Sequence, residues 1–163
     1  MESGLPSKED ALQRMSVALG PDGDAILPGL AAKEWKSRAE AAGRLTQLIQ
    51  TSWEAESANA LFEPLIVLLK SAPGWKESIF QVFNGVCGVV IEAAKVATVV
   101  SQRAAYHLVT NITPRMTDVK NKPLVRELLS TLMELVGVKF IMKHCVGVVV
   151  AAKTPTLTQD VLE

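Results

Sequence analysis

Two stretches decide the reading of this chain: Lys33-Glu34-Trp35-Lys36-Ser37-Arg38 and, 40 residues on, Pro73-Gly74-Trp75-Lys76-Glu77-Ser78. Each sets a tryptophan–lysine pair just ahead of a segment with apolar residues at helical spacing. A third basic turn, Asp118-Val119-Lys120-Asn121-Lys122, puts Lys120 45 residues after Trp75 and also leads into a helix. A turn–helix unit recurring every 40–47 residues or so predicts a solenoid of helical hairpins, none of which can bury its apolar face alone. Stacking the hairpins lines up their turns along one edge. Large aromatic and cationic side chains repeated along an edge suggest a surface that grips another protein.

Working outward, the rest of the chain fills in the hairpins of an all-α, HEAT- or armadillo-like α-solenoid of about three and a half repeats. Residues 7–19 read as a helix with Ser7 as N-cap and Gly20-Pro21 as its stop. Residues 1–24 are expected to be an N-terminal extension or linker helix outside the repeats proper, which occupy 25–163. The first hairpin pairs a short turn of helix over 25–32, interrupted by Pro28, with a helix carrying Ala41, Leu45, Leu48 and Ile49 on one face. The second pairs 57–70 with 77–95, where Ile79, Phe83, Val86 and Val90 form one apolar stripe and Phe80, Cys87 and Ile91 another. A helix apolar on two sides is buried on two sides, as a middle repeat requires. The third pairs 96–112 with 123–136, Pro123 fitting a first helical turn, where its missing N–H costs nothing. Residues 138–152 open a fourth hairpin, and the chain is expected to stop inside it as part of a longer protein. The β-branched clusters Val96–Val100 and Val146–Val150 favour strand locally, but neither alternates with polar residues and the repeat overrides them.

Composition narrows the function classes. Hydrophobic residues make up 48% of the chain and aromatics 5%, a mix suited to small interdigitating helical side chains. Seventeen basic against seventeen acidic residues give no net charge, which argues against nucleic acid as a partner but permits a local basic stripe facing an acidic protein. Cys87 and Cys145 sit in apolar runs without metal-type spacing and read as buried reduced thiols. The first ten residues lack a signal peptide's cationic start and apolar core, and the longest apolar run, 145–152, is too short for a bilayer. A monomeric cytosolic domain needing no cofactor, metal or membrane is expected.

No catalytic constellation emerges. His144 and Cys145 are neighbours on a helix, so their side chains diverge by about 100° and form no dyad. Neither His107 nor His144 has a carboxylate near in sequence to orient it. Gly85, Gly88 and Gly147 fall inside apolar helices, where they permit close packing rather than cradle phosphate. The expectation is a binding module, not an enzyme.

At the residue level the pattern matches a family. Residues 73–82, PGWKESIFQV, closely resemble a segment of the TOG domains of microtubule polymerases of the vertebrate ch-TOG and plant MOR type, most like the third TOG domain of the array. Trp35-Lys36-Ser37-Arg38 is similar to the W-K-x-R turn of the first HEAT repeat in TOG domains generally. The resemblance implies that intra-repeat turns bind αβ-tubulin along one edge and support microtubule polymerisation at microtubules, spindle or centrosome. On that footing Trp35, Lys36 and Arg38 form the first-turn contact and Trp75 and Lys76 the second. Lys120 and Lys122 form the third, and Lys153 and Thr154 the fourth. Trp53, away from that edge, is expected to pack. The alternative is a scaffold or spacer that touches the microtubule lattice or another protein without holding free tubulin.

Overall fold

A computed structural model of the protein describes residues 4–152. Among them are eight α-helices: α1 (Lys8–Leu19), α2 (Gly23–Leu30), α3 (Trp35–Ser52), α4 (Ala55–Ser71), α5 (Phe80–Val96), α6 (Gln102–Ile112), α7 (Lys122–Val136) and α8 (Val138–Ala152). Short 3-10 turns cover Gly20–Asp22 and Thr113–Thr117.

The helices stack in two layers. One runs α1, α4, α6, α8, each packed on the next, and the other runs α3, α5, α7. Chain reversals therefore fall on two opposite edges. Residues 31–34, 72–79 and 113–121 lead from α2, α4 and α6 into α3, α5 and α7 within a repeat, and 53–54, 97–101 and Gly137 connect one repeat to the next. This is the α-solenoid expected from the repeat spacing. Between the layers lies one continuous core, with Phe62, Leu65, Phe83, Val86, Leu108 and Leu128 all at 0–1% exposure.

Helix ends follow local chemistry. The hydroxyls of Ser7 and Ser101 accept from the N–H groups of Asp10 and Ala104, capping α1 and α6. Gly137 separates α7 from α8 at φ 97°, a left-handed conformation that glycine adopts without strain. Gly74 does the same at φ 92° in the second turn, its N–H reaching back to the Leu69 carbonyl. Of the two β-branched clusters, Val146–Val150 is helical within α8, while Val96 ends α5 and 97–101 run as an extended connection. The helix expected from 96 therefore starts only at Gln102, where Ser101 can cap it. The second turn is also longer than expected, because α5 begins at Phe80.

Helix α1 joins the same stack. It packs along α4 and contributes Ala11, Met15 and Leu19 to the buried set. Its register is marked by Pro64 inside α4. Proline lacks an N–H, so the carbonyl four residues back, that of Ala60, has no partner within the helix. Arg14 of α1 donates to that oxygen at 2.9 Å. The inter-repeat edge is tied in the same cross-repeat manner. Asn59 accepts from the backbone of Thr98 and Val99, and Glu63 accepts from Ser101 and two guanidinium nitrogens of Arg103.

Close packing of α3 on α5 rests on Gly85. A Cβ there would lie 2.9 Å from the Cβ of Ala42, whereas one on Gly43 would meet nothing within 4 Å. Gly88 has looser space, its nearest neighbour being the Thr46 hydroxyl at 3.8 Å, and Gly147 has open space. Gly43→Ala should raise stability by about 0.5–1 kcal/mol through helix propensity. Gly85→Ala gains the same propensity but forces two backbones apart, and should lower stability by about 1 kcal/mol. Urea unfolding of the two variants checks the opposite signs.

The Arg103 guanidinium holds the Glu63 carboxyl below its ordinary value, outweighing the partial burial that pushes it up. A lowered folded value means that the unfolded chain takes up protons first. The pair's contribution is therefore full above the ordinary carboxyl value of 4.5 and is lost as pH falls through the lower folded value. Urea midpoints measured from pH 6 down to pH 3 should fall less steeply for Glu63→Gln than for the wild type.

Candidate partner-binding edge

The three turns between layers carry most of the expected site. Trp35 opens α3 and is 37% exposed, with the Lys36 ammonium 5.9 Å from its ring centroid. A cation at that distance holds the indole weakly, worth at most about 0.5–1 kcal/mol at an exposed site. Both remain available to a partner. Lys76 and Lys120 are exposed on the second and third turns, and Lys122, at the start of α7, is half-buried. Lys153 and Thr154 lie outside the described residues. Trp53 is half-buried and packs against the core at the other edge.

Two expected surface groups turn inward. Trp75 is 5% exposed, and its indole N–H donates to Nε2 of the buried His107 at 2.7 Å. The chain reversal at Pro73-Gly74 folds this tryptophan under the neighbouring repeat. There a buried indole N–H needs a partner and finds one on α6. The imidazole thus has a structural role, with Nε2 as acceptor and Asn111 donating to its backbone carbonyl. Arg38 is also half-buried. Its guanidinium donates to the carbonyls of Ala32 and Lys33 and to Glu77 at 2.7 Å. It braces the first turn against the second rather than facing outward.

Arg115, which the sequence reading passed over, repeats this brace one repeat further on. Its two terminal nitrogens donate to the carbonyls of Trp75 at 2.6 Å and Glu77 at 2.8 Å, and its guanidinium lies 3.9 Å from the Phe83 ring centroid. No repeat spacing pointed to it, because Arg38 lies inside α3 whereas Arg115 lies in the 3-10 turn ahead of α7. In the third turn, Asp118 accepts from the Lys120 N–H and its backbone carbonyl accepts from Asn121 and Lys122. That local Asx geometry orients the exposed Lys120 and Val119.

Other reactive groups are structural. Burial pushes the Cys87 thiol up to about 12, out of reach of a nucleophilic thiolate at neutral pH. Cys145 is raised for the same reason and sits 3.8 Å from the Thr113 hydroxyl. His144 packs edge-on against Tyr106 and Phe140, and partial burial together with Lys143 lowers its value. No group of three or more His, Cys, Asp or Glu side chains comes together among the described residues.

Replacing Arg115 by Met keeps an unbranched apolar side chain but removes the guanidinium from the Phe83 ring and strands two carbonyls. The loss should be about 2–3 kcal/mol, two charge-assisted hydrogen bonds less what water restores. Urea denaturation checks this, with helical content below the transition unchanged.

No protein-family model matches the chain. It is 33% identical over 105 residues, 64% of its length, to Centrosomal protein 224 of Dictyostelium discoideum. It is 26% identical over 126 residues, 77% of its length, to Protein MOR1 of Oryza sativa subsp. japonica. The matched stretch spans only 5% and 6% of these two relatives. Among solved structures, Drosophila melanogaster Mini spindles TOG3 superposes with a TM-score of 0.78 at 22% identity, covering 85% of this chain and 60% of that one. The two-layer stack with its row of intra-repeat turns is thus the fold of a TOG domain, and the sequence likeness is to proteins of the ch-TOG and MOR type.

Proposed function

We propose that this domain binds αβ-tubulin through the edge formed by turns 31–34, 72–79 and 113–121, and that it supports microtubule assembly by holding and delivering tubulin rather than by chemistry. The observation that carries the reading is Trp35, an aromatic left exposed at a helix start and flanked by Lys33 and Lys36 on the first turn. Exposed aromatics ringed by charge are the usual anchors of protein interfaces. Lys76 and Lys120 extend the cationic row along the same edge, suited to an acidic partner and to faster encounter with it. Kinship in sequence with a centrosomal protein and a MOR-type protein, and in fold with a Mini spindles TOG domain, supports the same partner.

A second reading is favoured by one observation. Trp75 is buried and Arg38 is engaged within the fold, so the edge presents fewer contacts than the family resemblance implies. A spacer or lattice-contacting domain would need no more than that. Titration of labelled soluble tubulin separates the two. Binding that Trp35→Ala weakens about tenfold, the scale of an aromatic hot spot, with an unchanged circular dichroism spectrum, supports the first reading. No response to free tubulin together with co-sedimentation on microtubules supports the second.

A further inference from the structure

Set side by side from their first residues, the second-layer helices α3, α5 and α7 share buried positions. Counted from each helix's first residue, positions seven, eight and eleven are buried in all three. They are Ala41, Ala42 and Leu45 in α3; Val86, Cys87 and Val90 in α5; and Leu128, Leu129 and Leu132 in α7. In that register the first position is Trp35 in α3, Phe80 in α5 and Lys122 in α7. At the head of α5, where α3 carries Trp35, stands Phe80 and not Trp75, although the Trp-Lys spelling is shared by the latter. Phe80 was expected on a buried stripe with Cys87 and Ile91. Those two are buried, at 0% and 3%, while Phe80 is 36% exposed, matching Trp35 at 37%.

A single exposed apolar residue signifies little. Here one stands at or directly after each of the three turns, with a lysine within four residues of it in sequence. Trp35 precedes Lys36, Phe80 follows Lys76 by one helical turn's length of chain, and Val119, 81% exposed, precedes Lys120. The acidic groups on this edge are partly spent internally, Glu77 on Arg38 and Asp118 on the third turn's backbone. Glu34 stays exposed beside Trp35, but Lys33, Lys36, Lys76 and Lys120 outnumber it around the apolar groups, which suits an acidic surface carrying an apolar seam.

We propose that Phe80 is the second aromatic anchor of the partner-binding edge, with Val119 as the apolar contact of the third turn and the acidic surface of tubulin as the occupant. The inference rests on the proposed function and names the residues that would perform it.

The test measures affinity for soluble tubulin with the wild type, Phe80→Gln, Val119→Ser and Trp75→Phe, each checked for helical content. The expected result is a loss of about tenfold for Phe80→Gln and about threefold for Val119→Ser. Trp75→Phe should bind as the wild type does while unfolding at lower urea, because it strands the His107 acceptor. Wild-type binding with both Phe80→Gln and Val119→Ser within twofold of it overturns this inference and leaves the tubulin reading standing. A Trp75→Phe loss larger than that of Phe80→Gln also overturns it. No wild-type binding at all overturns both. Should Phe80→Gln lose helical content, the 81%-exposed Val119 position decides the matter.

Discussion

The guanidinium of Arg115 lies against the Phe83 ring and reaches back one repeat to hold the carbonyls of Trp75 and Glu77. The eight residues between α4 and α5 follow no regular ladder, so their partly buried carbonyls depend on side chains for partners. A planar, permanently charged fork on an apolar stem can stack on an aromatic ring and donate in two directions at once, which lysine cannot do. Arg38 performs the matching task one repeat earlier, joining the first turn's carbonyls to the Glu77 carboxylate. Two arginines thus set the spacing of three turns. The exposed groups inherit their alignment from that spacing.

The two edges of the solenoid divide the work. The inter-repeat edge is closed by cross-repeat pairs, Asn59 with Thr98 and Glu63 with Arg103, which use up its polar groups on the fold itself. On the intra-repeat edge the arginines and Glu77 do the bracing beneath the surface, leaving lysines and apolar side chains outside. Any displacement of one turn toward a partner would strain the carbonyl bridges to the next. Such an edge meets a partner largely preformed, which reduces the ordering cost of association.

Much of the fold was legible because it is written in local codes. Repeat spacing, 3.6-residue periodicity, the Ser7 cap, Pro123 and Gly137 placed most helices within a few residues. What was not legible depended on groups far apart in the chain. Pro73-Gly74 announces a reversal but says nothing of His107, 32 residues after Trp75, which draws that tryptophan inside. Phe80 continues an apolar stripe on paper, yet it sits at a helix start where the layer ends and nothing covers it fully. For the same reason Trp35 and Lys36 stay exposed at the head of α3 while Arg38 is drawn inward. A tryptophan at the first position of a helix has few neighbours available, whereas an arginine can reach acceptors on two turns.

Pro64 has one more consequence, for how the stack chooses its first member. A helix without proline offers a docking neighbour no unclaimed carbonyl along its middle, and neither α6 nor α8 contains one. In α4 the missing N–H leaves one oxygen open at Ala60, on the side where α1 lies, and Arg14 takes it. Amphipathic helices of similar length are otherwise nearly interchangeable as partners, since apolar faces recognise one another by area more than by identity. A single imino acid therefore works as an address within the layer, distinguishing the seat of α1 from the other seats and opposing a slip of one helical turn along α4.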